Sequence, residues 1–238
     1  MTVILPMSNG ETYEVRPQKI ICLGLNYVEH IKENVIADSP RFKDEIPSEP
    51  ILFPKTLNTL IGPGQPIIIP SFLEKYGFRT CRTDYEAELA LIIGKGGKYI
   101  QTEEAYGHIM GFTCFNDVSQ RNFQKHDKSG WYRGKSLDTF GPIGPRIVLL
   151  EEISDPQNLN IQCRLNGDVV QESNTRHMIF SISEMIAFIS KNFTLEEGDI
   201  IVTGTPSGVG PLVPGDVVEV EIEDIGVLKN PVQAEINS

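Results

Sequence analysis

Apolar and polar residues along this chain mostly alternate in short runs, and most runs are closed by Gly, Pro, Asn or Asp. Such runs predict strands, because successive side chains of an extended chain point to opposite faces. They fall at 19–25, 66–70, 86–93, 146–150, 159–165, 199–203 and 216–222. Asn166-Gly167-Asp168, between two strand-like stretches, is a hairpin signal, since Asn and Gly tolerate the positive φ of a tight turn. Helical periodicity is weaker. It is clearest at 181–192, where Met185, Ile186 and Ile189 form an apolar stripe. A shorter helix is predicted over 27–34, and another opening at 102–106 with Thr102 as N-cap. The polar, Pro-punctuated stretch 34–50 reads as a long loop, a frequent setting for lids and binding loops. No repeat or linker interrupts the pattern. It gives one α+β domain, mainly β, with few short helices packed on a mixed sheet system.

Composition changes this picture only by exclusion. The 238 residues are 40% hydrophobic and 22% charged, an ordinary globular balance with ample length for a core. A formal net charge of −11 argues against nucleic acid and against electrostatic docking on anionic lipid. An anionic substrate would need local positive charge to overcome that field. Cys22, Cys81, Cys114 and Cys163 are scattered without a C-x-x-C pair, which argues against a thiolate zinc site and favours reduced thiols. The N-terminus carries neither a basic nor a long apolar region, and no stretch approaches ~18 uninterrupted apolar residues. The expectation is a soluble, cytoplasmic protein.

The candidate chemistry begins at 83–97, TDYEAELALIIGKGG. Glu86 and Glu88 share one face of the predicted strand, roughly 7 Å apart. A solvated polar row would look the same, and Glu219, Glu221 and Glu223 in VEVEIED repeat the alternation. What distinguishes the first pair is its company. Asp117 follows an apolar, aromatic stretch in GFTCFNDVSQRNFQ, with Arg121 and Gln124 just after it. If the two segments lie side by side, three carboxylates converge, an all-oxygen donor set suited to Mg²⁺ or Mn²⁺. His30 and Glu33 would share a helical face, so that the carboxylate orients the imidazole as a general base. Lys135 sits in a Gly/Pro-rich stretch where it could stabilise a developing oxyanion. The turn TGTPSGVG lacks a Walker lysine, but the Thr205 hydroxyl and its neighbouring amides could grip an anion.

In order along the chain, GLNYVEHIKE, ILFPK, IGPGQPI, DYEAELALIIG, GFTCFNDVSQRNFQ, GKSLDTFGPIGP, MIFSISEMIAFIS and LEEGDIIVTGTPSGVG resemble the fumarylacetoacetate hydrolase family. The match runs from about Lys19 onward, which sets 1–18 apart as a short N-terminal extension and 19–238 as a single catalytic domain. The resemblance implies a mixed β-sheet roll of the family's C-terminal-domain type, and a homodimer. It places a metal triad on Glu86, Glu88 and Asp117, holding Mg²⁺ or Mn²⁺, with Ca²⁺ a further option. It places a lid-borne dyad on His30 and Glu33, the catalytic lysine on Lys135, and substrate contacts on Arg121, Gln124 and Thr205. Two departures stand out. The segment between Glu33 and ILFPK is longer than in short acylpyruvate-cleaving members, and Lys55 is followed by Thr-Leu-Asn where the family often has Pro-Ser.

The implied activity is divalent-metal-dependent chemistry on a small 2-oxo acid through an enolate. It takes the form of C–C hydrolysis of an acylpyruvate, or decarboxylation or tautomerisation of oxaloacetate. The alternative within the family is 2-hydroxyhepta-2,4-diene-1,7-dioate isomerisation. A non-catalytic metal-binding protein on the same fold is the alternative of another class. Against it stand His30, Glu33 and Lys135, which metal binding alone would not need.

Overall fold

In the computed structural model, which describes residues 2–33, 46–128 and 130–236, the E-x-E segment runs into the centre of the main sheet. Ala87–Ile93 is flanked on one side by Ile200–Val202, Ile20–Gly24 and Ile51–Lys55. On the other side lie Ile109–Asn116, Gly141–Leu149 and Leu60–Ile61. Most pairings are antiparallel; Ile20 with Ile200 and Leu60 with Gly141 are parallel, so the sheet is mixed. The longer part of 34–50, residues 34–45, lies outside the described residues.

Every residue of Ala87–Ile93 is buried, because both faces of the sheet are covered. Leu89, Leu91 and Ile93 face a core shared with Ile161, Cys163, Val218 and Val220 of a second, five-stranded sheet. Ala90 and Ile92 face a separate core with Ile20, Cys22, Phe53 and Val202. The hairpin Val3–Pro6/Thr12–Val15, within the first 18 residues, contributes Val3, Leu5 and Val15 to that second core. Burial on both faces erases the period-2 signal. This is why Ile109–Asn116, paired along Ala87–Ile93, reads in the sequence only as an apolar stretch.

Local rules fix the other elements. Asn166 and Gly167 both take positive φ, 54° and 93°, in the turn between Asn160–Leu165 and Asp168–Asn174. The strand expected at 146–150 begins earlier, as Gly141–Leu149. The helix expected from 102 is the 3₁₀ helix Thr102–His108, and Thr102 is not its cap. Gln101 takes the N-cap position without a side-chain cap bond, while Thr102 Oγ1 donates to Glu103.

Ile182–Asn192 is the longest helix among the described residues and buries Met185, Ile186 and Ile189 as its stripe predicts. Ser181 caps it: its hydroxyl accepts from the Glu184 amide, and the Glu184 carboxylate accepts from the Ser181 amide at 2.8 Å. Ser181→Ala should therefore cost about 1 kcal/mol, read as a lower urea midpoint at unchanged m-value.

Glu219 and Glu221 lie on the outer side of Val217–Ile222, partly exposed and ion-paired with Arg164, and Glu219 also with Lys229. The second E-x-E row is thus a salt-bridged surface. No described helix is long and apolar enough to cross a membrane.

Candidate metal centre and active site

Glu86 lies where the chain leaves the short strand Thr83–Tyr85, part of a small three-stranded sheet, and enters Ala87–Ile93. Its backbone is tied to the neighbouring strand end. The Glu86 amide donates to Asn116 Oδ1 at 2.9 Å, and the Asp117 amide donates to the Glu86 carbonyl at 2.9 Å. These bonds and the register of Glu88 against Phe115 bring the Glu86, Glu88 and Asp117 carboxylates together. One ligand oxygen of each lies within 4.8 Å of the others, and all three side chains are buried. Glu88 shares the sheet face of Ala90 and Ile92, so the cluster forms the polar end of the second core.

Such burial is tolerable only with compensation. Lys135 Nζ donates to Glu86, and to Asp117 at 2.5 Å. Lys55 Nζ donates to the other Asp117 oxygen at 2.6 Å. Arg121 reaches Glu86 at 2.5 Å and Asp84 at 2.8 Å. Burial alone would raise the Glu86 carboxyl; Arg121 and then Lys135 override it and hold it below the usual carboxylate range. Burial likewise opposes the Lys135 ammonium, yet Asp117 and Glu86 bring its pKa up to about 12.

Glu88 is the exception. Among the described residues its carboxylate has no cationic partner and accepts only the Gly204 amide, at 2.5 Å. Burial, then the charges of Asp117 and Glu86, push it well above the ordinary range. Counting Asp84, which Arg82 also pairs at 2.7 Å, the cluster has four carboxylates and four cations, but no described cation reaches Glu88, which is left without compensating charge. A divalent ion seated among the triad would supply that charge, and an all-oxygen donor set suits Mg²⁺ or Mn²⁺.

The opposite wall is built by the helix Val28–Lys32 and the turn 204–208. His30 Nδ1 bonds Glu33 Oε2 at 2.8 Å, and Glu33 Oε1 accepts from the Gly208 amide at 2.5 Å. The turn depends on two glycines. Gly204 has φ +95° and a Cβ there would lie 2.7 Å from Asn26 Cβ; Gly208 has φ +100°, and a Cβ would overlap the Val170 carbonyl oxygen. His30, Gln124 and Thr205 line one small cavity together with Glu86, Glu88, Arg121 and Lys135. Phe53 and Trp131, in edge contact at 5.2 Å, form its apolar side.

The structure thus brings the sequence-predicted residues to one place, with some in altered postures. Arg121 is engaged at Nε by Asp84, at Nη2 by Glu86 and at Nη1 by Gln124 Oε1, so it buttresses Glu86 while its charge faces the cavity. The Thr205 hydroxyl donates to the Ala87 carbonyl at 2.9 Å, which leaves it an acceptor. Sequence reasoning gave no role to Lys55, Asp84, Trp131 or Gln171. Lys55 had a legible signal, since Phe53 and Lys55 share one face of ILFPK and Phe53 is core. Gln171 had none.

Comparison with known proteins gives the family. Residues 19–233 match the family described as fumarylacetoacetate (FAA) hydrolase C-terminal. A mitochondrial oxaloacetate tautomerase of Xenopus laevis is 43% identical over 240 residues, covering 98% of this chain and 68% of that protein. The crystal structure of 2-hydroxyhepta-2,4-diene-1,7-dioate isomerase from Mycobacterium marinum is similar at a TM-score of 0.79 and 34% identity, covering 96% of this chain and 82% of that one. Fumarylpyruvate hydrolase from Pseudomonas aeruginosa, solved with Mn²⁺ and pyruvate, is similar at a TM-score of 0.82 and 27% identity, covering 98% and 97%.

Proposed function

Because the chain belongs to the fumarylacetoacetate hydrolase family, we propose that it is a divalent-metal-dependent enzyme of 2-oxo acids, and that it interconverts the keto and enol forms of oxaloacetate. The observation that carries the reading is one cavity with a carboxylate cluster, whose Glu88 lacks a cationic partner among the described residues, on one wall and a Glu33-oriented imidazole on the other. Glu86, Glu88 and Asp117 would hold the ion. When bound, a divalent ion polarises the keto and carboxylate oxygens of a 2-oxo acid as a Lewis acid.

The remaining work falls to this chain's own groups. With Nδ1 held by Glu33, His30 has Nε2 as the ring nitrogen that can take a proton from carbon and return it. Lys135 stays protonated at neutral pH, so its role is a fixed positive charge beside the developing oxyanion. The Gln124 carboxamide oxygen accepts from Arg121, and among the described residues its nitrogen is left to donate towards a substrate carboxylate. Phe53 and Trp131 give the substrate an apolar wall opposite these polar groups.

The test is decay of the enol absorbance of oxaloacetate. Mg²⁺ or Mn²⁺ should accelerate it and EDTA should return it to the blank rate, with no added pyruvate formed. Equal decay in EDTA would remove the metal from the reading. Metal-dependent pyruvate release from an acylpyruvate, with no effect on oxaloacetate, would replace it with C–C hydrolysis, where His30 activates water.

A further inference from the structure

Gln171 lies in Asp168–Asn174, a strand of the five-stranded sheet, and is 1% exposed. Its side chain crosses to the site and makes three bonds there. Oε1 accepts from the Ala87 amide at 3.0 Å, and Nε2 donates to Thr205 Oγ1 at 2.9 Å and to the Pro206 carbonyl at 2.8 Å. Ala87 is the residue between Glu86 and Glu88. Thr205 and Pro206 belong to the turn whose ends hold Glu88, through the Gly204 amide, and Glu33, through the Gly208 amide. The same turn packs directly on this strand, since a Cβ at Gly208 would overlap the Val170 carbonyl oxygen.

One side chain therefore fixes both the peptide between two carboxylates and the turn that seats Glu33, the partner of the His30 imidazole. The Thr205 hydroxyl closes the circuit: it accepts from Gln171 and donates to the Ala87 carbonyl, so both sides of the Ala87 residue are pinned. A primary carboxamide can accept and donate in these directions at once without adding charge. A carboxylate there could not donate, and would sit beside Glu88, which has no cationic partner among the described residues.

We infer that Gln171 is a positioning residue that holds the Glu86/Glu88 pair and the His30–Glu33 dyad in register with each other, acting through Ala87 and Thr205. The inference takes the metal site and the dyad from the function proposed above, but not the identity of the substrate.

Gln171→Met keeps length and burial while deleting all three bonds. In the full-length protein it should weaken Mn²⁺ affinity, measured by calorimetric titration, by about tenfold or more, as loss of groups that orient metal ligands does. It should lower kcat for oxaloacetate tautomerisation by at least as much with KM little changed, because alignment suffers rather than contact with substrate. Thr205→Val cuts the same circuit from its other end and should weaken Mn²⁺ binding too. The double variant should lose much less than the product of the single losses, since the two residues act as one unit.

Gln171→Met with Mn²⁺ affinity within twofold of wild type would overturn the inference. So would a lower melting temperature with unchanged affinity and kcat, which marks a purely structural residue. Multiplicative losses in the double variant would overturn the route through Thr205. If Gln171→Met does not fold, Thr205→Val alone decides, and unchanged Mn²⁺ affinity refutes the circuit. Wild-type protein inert towards oxaloacetate would refute the proposed reaction, while the Mn²⁺ titrations would still decide the role of Gln171.

Discussion

Glu88→Gln should abolish saturable Mn²⁺ binding and reduce turnover by roughly three orders of magnitude, the cost of losing about 4 kcal/mol of Lewis-acid stabilisation. It should also leave the metal-free protein at least as stable as wild type. The second expectation is unusual for a buried carboxylate, and it follows from the local charge balance. Glu86 and Asp117 are each held by lysine or arginine, whereas Glu88 accepts only the Gly204 amide. Glutamine keeps an acceptor for that amide and removes the uncompensated charge. In wild type, Mn²⁺ at 100 times its Kd should add about 2.7 kcal/mol of stability. For a chain of this size that is a rise of roughly 5–10 °C in melting temperature. Glu88→Gln should show no such rise. An undiminished rise in the variant would mean that the ion, if it binds, does not use Glu88.

His30→Gln should lower kcat by about 10²- to 10⁴-fold, the usual worth of a positioned general acid–base group. Mn²⁺ affinity should stay unchanged. The two halves of the site are separable because His30 contacts the carboxylate cluster only across the cavity. Its hydrogen bond is to Glu33, and Glu33 in turn is held by Gly208. Glutamine can keep a hydrogen bond to Glu33 but has no nitrogen that exchanges a proton near neutrality. Full turnover in His30→Gln would remove the imidazole from the chemistry. A rate loss matched by an equal loss of Mn²⁺ affinity would make His30 part of the metal site instead.

Much of the fold could be read from local chemistry. The Asn166-Gly167 hairpin, the Ser181–Glu184 capping box and the Met185/Ile186/Ile189 stripe are each decided within a few residues, by allowed φ, by orphan amides at a helix start, and by helical period. Where an element is buried on both faces, that grammar weakens. Ile109–Asn116 carries no alternation because every residue of it but the half-buried Met110 is buried, and the first 18 residues gave no sign that Val3, Leu5 and Val15 join a core with Ile92 and Val202.

The sequence by itself determined the chemical inventory: three carboxylates, a lysine, and a His–Glu pair one helical turn apart, in an order shared with one enzyme family. Alternation alone did not separate Glu86 and Glu88 from Glu219 and Glu221; Asp117 and the His30–Glu33 pair elsewhere in the chain pointed to the first row, and the folded structure shows the physical difference. One row ends against a second apolar core and is buried; the other lies on an outer face and is paired with Arg164 and Lys229. Only the structure placed Lys55 on Asp117, 62 residues away, and Gln171 on Ala87, 84 residues away. The reason is the range of the forces. Turn, cap and period are settled by neighbours along the chain, whereas the cost of burying a charge is set by whatever the fold brings within a few ångströms of it.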